Sequence, residues 1–338
     1  MIKPWLIPLS TLAVLVTGLA SPPSATEKPA GTFGGRHVLL VGIDGMRADA
    51  LQLAMSQGLV PHLKDLADSG ATTWTAHAGG ELGGATQQPT ISGPGWTSIF
   101  TGVWKDKHNV EGNATPDYNQ PEVRGSYLAT QAPHFAARLK AARPEARVSS
   151  FVSWAWIESY LVAAQPDAFE THSLGPGMTY PDRDRAVINK TLAYLDQTPV
   201  SPDVLVVHLD QLDHAGHTTG FTPENPEYMK SLQAIDSLFG EIRNALKVRP
   251  QAASESWLIL VTTDHGGKNR AHGGQSPEER TIPIIASGPG IPAGQISTEP
   301  VGHTVIPPTI FRFLGVPVNE DWGWDKQAFG LTPAVVGK

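Results

Sequence analysis

The chain has 338 residues and carries 25 Lys and Arg against 32 Asp and Glu, so its formal net charge is −7 with neutral His. A mildly acidic chain offers no broad basic surface for a polyanion. This disfavours nucleic acid as a structural partner but leaves small anionic substrates open if a metal supplies positive charge. The absence of Cys excludes disulfides, thiolate metal ligands and lipid attachment to Cys.

Residues 1–20 have the pattern of a secretory signal peptide. Lys3 supplies the positive charge, residues 6–19 form the apolar stretch, and residues 18–20 place small side chains at the cleavage positions. Residues 21–35 are rich in Pro, Ser, Thr and Gly, which predicts a disordered spacer. We therefore expect a secreted or periplasmic protein with no membrane span after signal removal. An uncleaved signal that anchors the chain is the alternative.

Four apolar runs predict buried strands, and a fifth segment has a weaker strand pattern. The runs lack the alternation of polar and apolar residues that marks a half-exposed strand, as expected in a parallel sheet covered on both faces. The runs are residues 37–43, 204–209, 257–262 and 282–286, and the fifth segment is residues 147–154. Helices are predicted at residues 61–69, 132–142, 182–196, 225–247 and 305–314.

This alternation of strands and helices predicts an α/β fold with a mostly parallel central sheet and helices on both faces. We expect one catalytic domain over residues 36–338, a length that can bury a single large core. Within it, residues 105–180 are predicted to include a lid or rim insertion. The aromatic residues near its end are alternatively core.

A tight turn follows the residue that we predict to be a nucleophile. Ser92 precedes Gly93-Pro94-Gly95, and an apolar segment begins next. A turn that leads into a helix points backbone N–H groups at whatever lies before it, which favours anion binding beside Ser92. We predict that Ser92 is activated by metal and that Gly93 helps to bind the substrate. The alternative is that Ser92 only caps the helix.

Acidic residues stand at the ends of three predicted buried strands, and His residues accompany two of them. They are Asp44, Asp210, Asp213, His214, His217, Asp264, His265 and His272. A carboxylate at the end of a buried strand is costly unless something compensates its charge, and a divalent cation would compensate several at once. Asp and His ligands without Cys suit catalytic Zn²⁺, with Mn²⁺ as the alternative. Any single acid would favour a cap or a turn, and it is the three strand ends together with the His residues that favour a metal site.

Two cations about 4 Å apart suit an in-line displacement at phosphorus, because one lowers the pKa of the attacking hydroxyl and the other neutralises phosphoryl oxygens. Such a site needs no Ser-His-Asp triad. The G-x-S-x-G turn of one triad class is absent around Ser92, which lies in Thr-Ile-Ser-Gly-Pro. The hypothesis is therefore a two-metal phosphoesterase.

In their order along the chain, these motifs resemble the alkaline phosphatase superfamily, and within it the nucleotide pyrophosphatase/phosphodiesterase branch. Val-Gly-Ile-Asp44-Gly-Met-Arg is similar to the first metal-ligand strand of that family, and Ser92 lies where the family has its Thr or Ser nucleophile. Asp213-His-Ala-Gly-His217 resembles the Asp-x-x-Gly-His ligand pair. Thr-Asp264-His265-Gly and His272-Gly resemble the remaining ligand motifs.

The resemblance covers about residues 37–316 and implies roles for individual residues. It implies one cation held by Asp44, Asp264, His265 and the Ser92 oxygen, and a second held by Asp213, His217 and His272. It also implies an Asn that donates to a phosphoryl oxygen, for which Asn113, five residues after His108, is the match. Asn113 is alternatively a plain turn residue, and Lys268 and Arg270 are either phosphate ligands or solvated charges.

Two departures from the family leave the substrate open. Ser92 replaces the Thr usual in the diesterase branch, and Ser is commoner among phosphomonoesterases of the superfamily. Ser-x-Pro-x-Trp96 lacks the Arg that the sulfatase motif has in place of Trp96, which argues against a sulfatase. We predict a diester or nucleotide substrate, a phosphoseryl intermediate and an apolar wall formed by Trp96, Trp154 and Trp156. The alternatives are a phosphomonoesterase, a phosphotransferase and, less favoured, a sulfatase.

Overall fold

A computed structural model describes residue 1 and residues 32–114, 125–197, 201–298, 300–324 and 328–331. Apart from Met1, the predicted signal peptide at residues 1–20 lies outside the described residues, as does the predicted spacer up to residue 31. Gly31–Lys338 form one compact unit. Within the described ranges, no helix combines the length and the apolar character needed to cross a bilayer.

Within the described part of the chain, eight strands form one sheet in the order β4-β3-β5-β1-β6-β7-β2-β8. They are β1 (Arg36–Ile43), β2 (Ala71–His77), β3 (Val148–Val152), β4 (Glu170–Thr171), β5 (Val204–Leu209), β6 (Ser256–Thr262), β7 (Thr281–Ser287) and β8 (Gln295–Ile296). The five strands from β4 to β6 are parallel, whereas β7 runs antiparallel to both β6 and β2. The prediction of a mostly parallel sheet is confirmed.

Helices cover both faces of this sheet. They are α1 (Ala48–Ser56), α2 (Pro61–Asp68), α3 (Ser92–Thr101), α4 (Lys105–His108), α5 (Phe135–Ala142), α6 (Tyr180–Gln197), α7 (Gln211–Thr219), α8 (Pro226–Val248), α9 (Pro277–Arg280) and α10 (Ile306–Leu314). Val38 and Leu40 of β1 share a buried cluster with α3, α5 and α10. Leu39 and Val41 share another with α1, α2 and α8. The central strand therefore carries no polar side chain from Val38 to Ile43, because both of its faces are core there.

Part of the predicted insertion at residues 105–180 is core. Trp156, Tyr160 and Phe169 are each less than a tenth exposed and belong to the same cluster as α3 and α5. A single turn of π-helix runs through Ile157–Leu161 between them. These aromatic residues hold the segment onto the sheet face that carries α3.

The strand order determines where the functional side chains meet. Strands β5, β1 and β6 are neighbours, and Gly42 of β1 pairs with both His208 and Thr262 near their ends. Parallel neighbours lie about 4.8 Å apart, so the residues that follow them share one edge of the sheet. Asp44 and Asp264 follow β1 and β6 at that edge, and the topology thus joins motifs that are 220 residues apart in the chain.

Candidate functional site

Ser92 is the first residue of α3 and not its N-cap. Ile91 occupies the N-cap position with extended backbone, so the alternative in which Ser92 only caps the helix is wrong. Ser92 is buried, with 7% of its surface exposed. Its Oγ lies 3.4 Å from Nε2 of His265. The hydroxyl therefore faces the predicted metal ligands.

The first predicted ligand group comes together around His265. Its Nε2 lies 3.2 Å from Oδ2 of Asp264 and 3.6 Å from Oδ1 of Asp44. All three side chains are buried. His265 Nδ1 lies 2.7 Å from the carbonyl oxygen of Gly266. An Nδ1–H that donates to this carbonyl leaves a lone pair on Nε2, which is the arrangement of a metal-ligating imidazole.

The second predicted ligand group has the same arrangement. Nε2 of His217 lies 3.3 Å from Asp213 Oδ2, and Nε2 of His272 lies 3.5 Å from Asp213 Oδ1. Their Nδ1 atoms lie 3.0 and 3.1 Å from the carbonyl oxygens of Arg270 and Thr90. Because both Nδ1–H groups donate to carbonyls, the two Nε2 atoms face each other across 2.9 Å. A divalent cation that replaced a proton between them would be held by the lone pair of each Nε2.

The two groups form one cluster. The rings of His265 and His272 stack with centroids 3.8 Å apart. Ligand atoms of Asp44, Asp213 and His265 lie within 4.8 Å of one another, as do those of Asp213, His217 and His272. The structure therefore brings together every predicted metal ligand and places Ser92 beside them.

Three buried carboxylate oxygens indicate whether the cluster has the donor atoms to hold a cation. Asp44 Oδ1, Asp213 Oδ1 and Asp264 Oδ2 are buried, and none has a hydrogen-bond partner among the described residues. Buried acceptors are almost always satisfied, and an uncompensated buried carboxylate is costly. Oxygen and imidazole donors directed at one small region fit divalent cations such as Zn²⁺.

The acids of the cluster repel one another. Burial and then the charges of Asp44 and Asp213 raise the pKa of Asp264 well above its ordinary value. Burial and then Asp44 and Asp213 raise the pKa of Asp210 in the same direction. Burial alone would also raise the pKa of Asp44, but the hydrogen bond from His208 and nearby imidazole charges lower it to about 2. The cluster thus holds more carboxylates than can ionise together without a counter-charge.

The two His residues of the second group differ in their proton affinity. A hydrogen bond to Asp213 raises the pKa of His217 to about 9. Burial and then the charge of His265 lower the pKa of His272 to about 3. A divalent cation bound here would have to displace the proton of His217, whereas His272 is already neutral.

Asn113 lies beside the start of α3, the helix that begins with Ser92. The backbone N–H of Gly93 donates to Asn113 Oδ1 at 2.7 Å, which leaves the two hydrogens of Nδ2 for another acceptor. The Gly93 N–H, predicted to bind substrate directly, is thus used to orient Asn113. His108, fully buried, fixes the start of this loop, because its ring contacts Ser98 Oγ at 3.0 Å and accepts the Val110 N–H at 3.1 Å.

The predicted apolar wall is wrong for Trp96. Its side chain is 1% exposed, and its indole N–H donates to Asp44 Oδ2 at 2.9 Å, so Trp96 contacts a predicted metal ligand from within the core. Trp154 and Trp156 stack on each other with centroids 4.9 Å apart, and Trp156 is buried. Sequence reasoning also missed His208, which contacts the same oxygen of Asp44, because only the pairing of β1 with β5 brings His208 to it.

Other charged residues near the site make contacts of the kind expected on a protein surface. Lys268 Nζ lies 3.4 Å from Glu278 Oε1 in an exposed ion pair. Arg270 contributes its carbonyl to His217, and the exposed ring of His214 stacks on Tyr180 at 4.1 Å. These contacts assign no phosphate-binding role to the side chains of Lys268 and Arg270.

A model of the type I phosphodiesterase/nucleotide pyrophosphatase family matches residues 38–273 of the chain. A curated relative, a sulfatase of Metarhizium majus, is 36% identical over 100 residues, covering 28% of this chain and 23% of the relative. The catalytic subunit of human GPI ethanolamine phosphate transferase 2 is 24% identical over 291 residues, covering 84% of this chain and 27% of the relative. The chain thus spans about a quarter of the length of these relatives.

Solved structures share the fold. An inactive variant of murine ectonucleotide pyrophosphatase/phosphodiesterase 5, in complex with AMP, matches with a TM-score of 0.62 at 13% identity, covering 84% of this chain and 96% of that chain. A phosphonate monoester hydrolase of Silicibacter pomeroyi matches with a TM-score of 0.60 at 16% identity, covering 89% and 78%. At these identities the likeness establishes the architecture.

Proposed function

Because the chain belongs to the type I phosphodiesterase/nucleotide pyrophosphatase family, we propose that it is a secreted, metal-dependent hydrolase of phosphate diesters or nucleotide pyrophosphates. The observation that carries the proposal is the position of Ser92 Oγ, 3.4 Å from His265, beside carboxylate oxygens that lack partners among the described residues. The secreted location rests on the signal pattern at residues 1–20.

The proposed cofactor is a pair of divalent cations, Zn²⁺ or alternatively Mn²⁺. One would be held by Asp44, Asp264, His265 and the Ser92 oxygen, and the other by Asp213, His217 and His272. When bound, the cations supply Lewis-acid charge that lowers the pKa of the attacking hydroxyl and neutralises phosphoryl oxygens. The unpartnered oxygens and the imidazole orientations support this assignment.

The residues of the chain have distinct tasks in the proposed reaction. Ser92 loses its hydroxyl proton, Oγ bonds to phosphorus, and the bond from phosphorus to the leaving-group oxygen breaks, so that the leaving group departs as an alcohol or phosphate that takes up a proton in exchange. Water then cleaves the Oγ–P bond and returns a proton to Ser92. The N-terminus of α3 favours the anionic phosphoryl group, and Asn113 Nδ2 donates to one of its oxygens.

Ser92→Ala is the direct test. We expect a loss on the order of 10³-fold or more in kcat for bis(4-nitrophenyl) phosphate, since a nucleophile is removed. Ser69→Ala, at a Ser outside the site, is the matched control. A panel with mono-nitrophenyl phosphate and nitrophenyl sulfate distinguishes the phosphomonoesterase and sulfatase alternatives. Full activity of Ser92→Ala, or a large monoester advantage of the wild type, contradicts the proposal.

A phosphotransferase is the second candidate, and the specific observation that favours it is the likeness to a GPI ethanolamine phosphate transferase over 84% of this chain. Both reactions begin with transfer to Ser92 and differ in the acceptor of the second step. Product analysis with added alcohols separates them. Phosphorylated alcohol in excess of free phosphate product would favour transfer over hydrolysis.

A further inference from the structure

The two oxygens of Asp44 have different surroundings. Oδ2 accepts the indole N–H of Trp96 at 2.9 Å and lies 3.2 Å from Nε2 of His208. Oδ1 has no hydrogen-bond partner among the described residues and points towards His265. The residues Asp44, Trp96 and His208 are each 1% exposed, so all three side chains are shielded from bulk solvent.

We infer that Trp96 and His208 are positioning residues, a two-donor clamp on Oδ2 that presents Oδ1 of Asp44 to a divalent cation. The inference rests on the proposed metal dependence and extends it to two residues that lie behind the ligands. The side chains of Trp96 and His208 contact Asp44, whereas the Ser92 hydroxyl contacts His265, so both residues act through Asp44.

Both members of the clamp are donors by their chemistry. An indole nitrogen carries a hydrogen and cannot accept a hydrogen bond. In His208, Nδ1 faces the backbone N–H of Trp154 at 3.4 Å, and an Nδ1 that accepts from it places the ring hydrogen on Nε2, opposite Asp44. Two N–H groups therefore occupy Oδ2, and a cation can reach Asp44 only at Oδ1.

The scaffold fixes the clamp in place. The rings of Trp96 and His208 pack edge to face with centroids 4.7 Å apart. Gly42, which pairs with His208 across β1 and β5, leaves the space for the indole, because a Cβ at this position would lie 2.2 Å from the Trp96 ring. The indole, the imidazole and the backbone of β1 thus hold one another, and the carboxylate has little freedom to rotate.

Trp96 also links the ligand to the nucleophile. It lies in α3, four residues and about one helical turn after Ser92. The hydrogen bond from the Trp96 indole to Asp44 therefore connects helix α3, which carries the Ser92 hydroxyl, to the end of strand β1, which carries the predicted metal ligand Asp44. Hydrogen-bonding partners of this kind typically change metal affinity by about 10–100-fold when they are removed.

The test measures Zn²⁺ binding to the chelator-treated full chain by competition with a fluorescent zinc indicator. Trp96→Phe and His208→Leu remove one donor each, and we expect each to weaken binding at the Asp44 site by about tenfold or more. His208→Gln keeps an amide donor at a comparable reach and is expected to retain most of the affinity. Trp257→Phe is the matched control, since its indole donates to Glu255 Oε2 at 2.9 Å at the other end of β6.

The absorption spectrum of the Co²⁺-substituted protein gives a readout of ligand geometry that is independent of turnover. We expect Trp96→Phe to change the visible bands and Trp257→Phe to leave them unaltered. Thermal unfolding with chelator present shows whether each variant is folded. If His208→Leu does not fold, the comparison of Trp96→Phe with Trp257→Phe decides the question.

The outcomes separate this inference from the proposed function. Folded Trp96→Phe and His208→Leu proteins that bind Zn²⁺ as tightly as the wild type would overturn the clamp while leaving metal dependence intact. A wild-type chain that binds neither Zn²⁺ nor Mn²⁺ would overturn the proposed metal site itself. Weakened binding in both variants, rescued in His208→Gln, is the result that the clamp predicts.

Discussion

At the scale of single residues, the site is marked by buried carboxylate oxygens that have no hydrogen-bond partner among the described residues. Asp213 Oδ1 and Asp264 Oδ2 are buried without a hydrogen-bond partner among the described residues, although each lies within 3.5 Å of an imidazole nitrogen. The sequence predicted these residues as ligands from their positions at strand ends. It could not predict that Trp96 and His208 support Asp44, because those contacts depend on strand pairing and on the space that Gly42 leaves.

The stability of the metal-free protein should depend on pH through Asp264. Its raised pKa, from an ordinary value of 3.8, means that the folded chain keeps a proton that the unfolded chain releases. The free energy of unfolding therefore falls as pH rises above about 4, by up to about 1.4 kcal/mol per pH unit for one such proton. Asp264→Asn cannot acquire that charge, so we expect a shallower fall above about pH 4 in urea unfolding with chelator. Equal slopes for wild type and variant would contradict this reading.

Asn113→Ala tests the donor beside Ser92. Removing one donor to a developing oxyanion typically costs about 10²–10³-fold in kcat, and we expect a loss of that order with Zn²⁺ affinity unchanged. The matched control is Asn189→Ala, at an exposed position of α6. Steady-state kinetics with bis(4-nitrophenyl) phosphate provide the measurement. A kcat equal to that of the wild type would return Asn113 to the role of a turn residue.

At the scale of elements, helix α7 carries two of the three residues of the second predicted ligand group. Asp213 and His217 are four residues apart, which places them on one face of α7. The segment is polar and lacks apolar periodicity, so no helix was predicted there. Its first turn is held from outside, because the Asp184 carboxylate of α6 accepts the backbone N–H groups of Asp210 and Gln211 at 2.9 and 3.0 Å. That long-range cap leaves no local signal in the sequence.

Asp184→Ala should destabilise helix α7 and weaken Zn²⁺ binding by the two predicted ligands that this helix carries. The buried N–H groups of Asp210 and Gln211 would lose their acceptor, at a cost of about 1–3 kcal/mol in the free energy of unfolding. We also expect weaker Zn²⁺ binding, since α7 positions His217. Asp236→Ala is the matched control, because Asp236 accepts the N–H groups of His62 and Leu63 at the start of α2 in the same way, away from the site. Equal Zn²⁺ affinity in the two variants would contradict a link between the cap and the ligands.

At the scale of the whole molecule, the site is a consequence of strand order. Buried apolar runs at residues 37–43, 204–209 and 257–262 predicted three strands, and the structure places them side by side as β5, β1 and β6. An apolar run indicates that a strand is buried but not whether the strand runs parallel or antiparallel to its neighbours. For this reason the sequence did not show that β7 runs antiparallel to β6. The strands β2, β4 and β8 were also not predicted. The two shortest, β4 and β8, have two residues each.

Trapping the reaction on the chain tests the central claim most directly. Protein quenched with acid during turnover of bis(4-nitrophenyl) phosphate is digested and examined by mass spectrometry. The account predicts a nitrophenyl-phosphoryl adduct on the peptide that contains Ser92, its loss after chelator treatment, and its return with added Zn²⁺ or Mn²⁺. Undiminished turnover by Ser92→Ala, or an adduct that forms equally well on the chelator-treated chain, would contradict a metal-dependent Ser92 nucleophile.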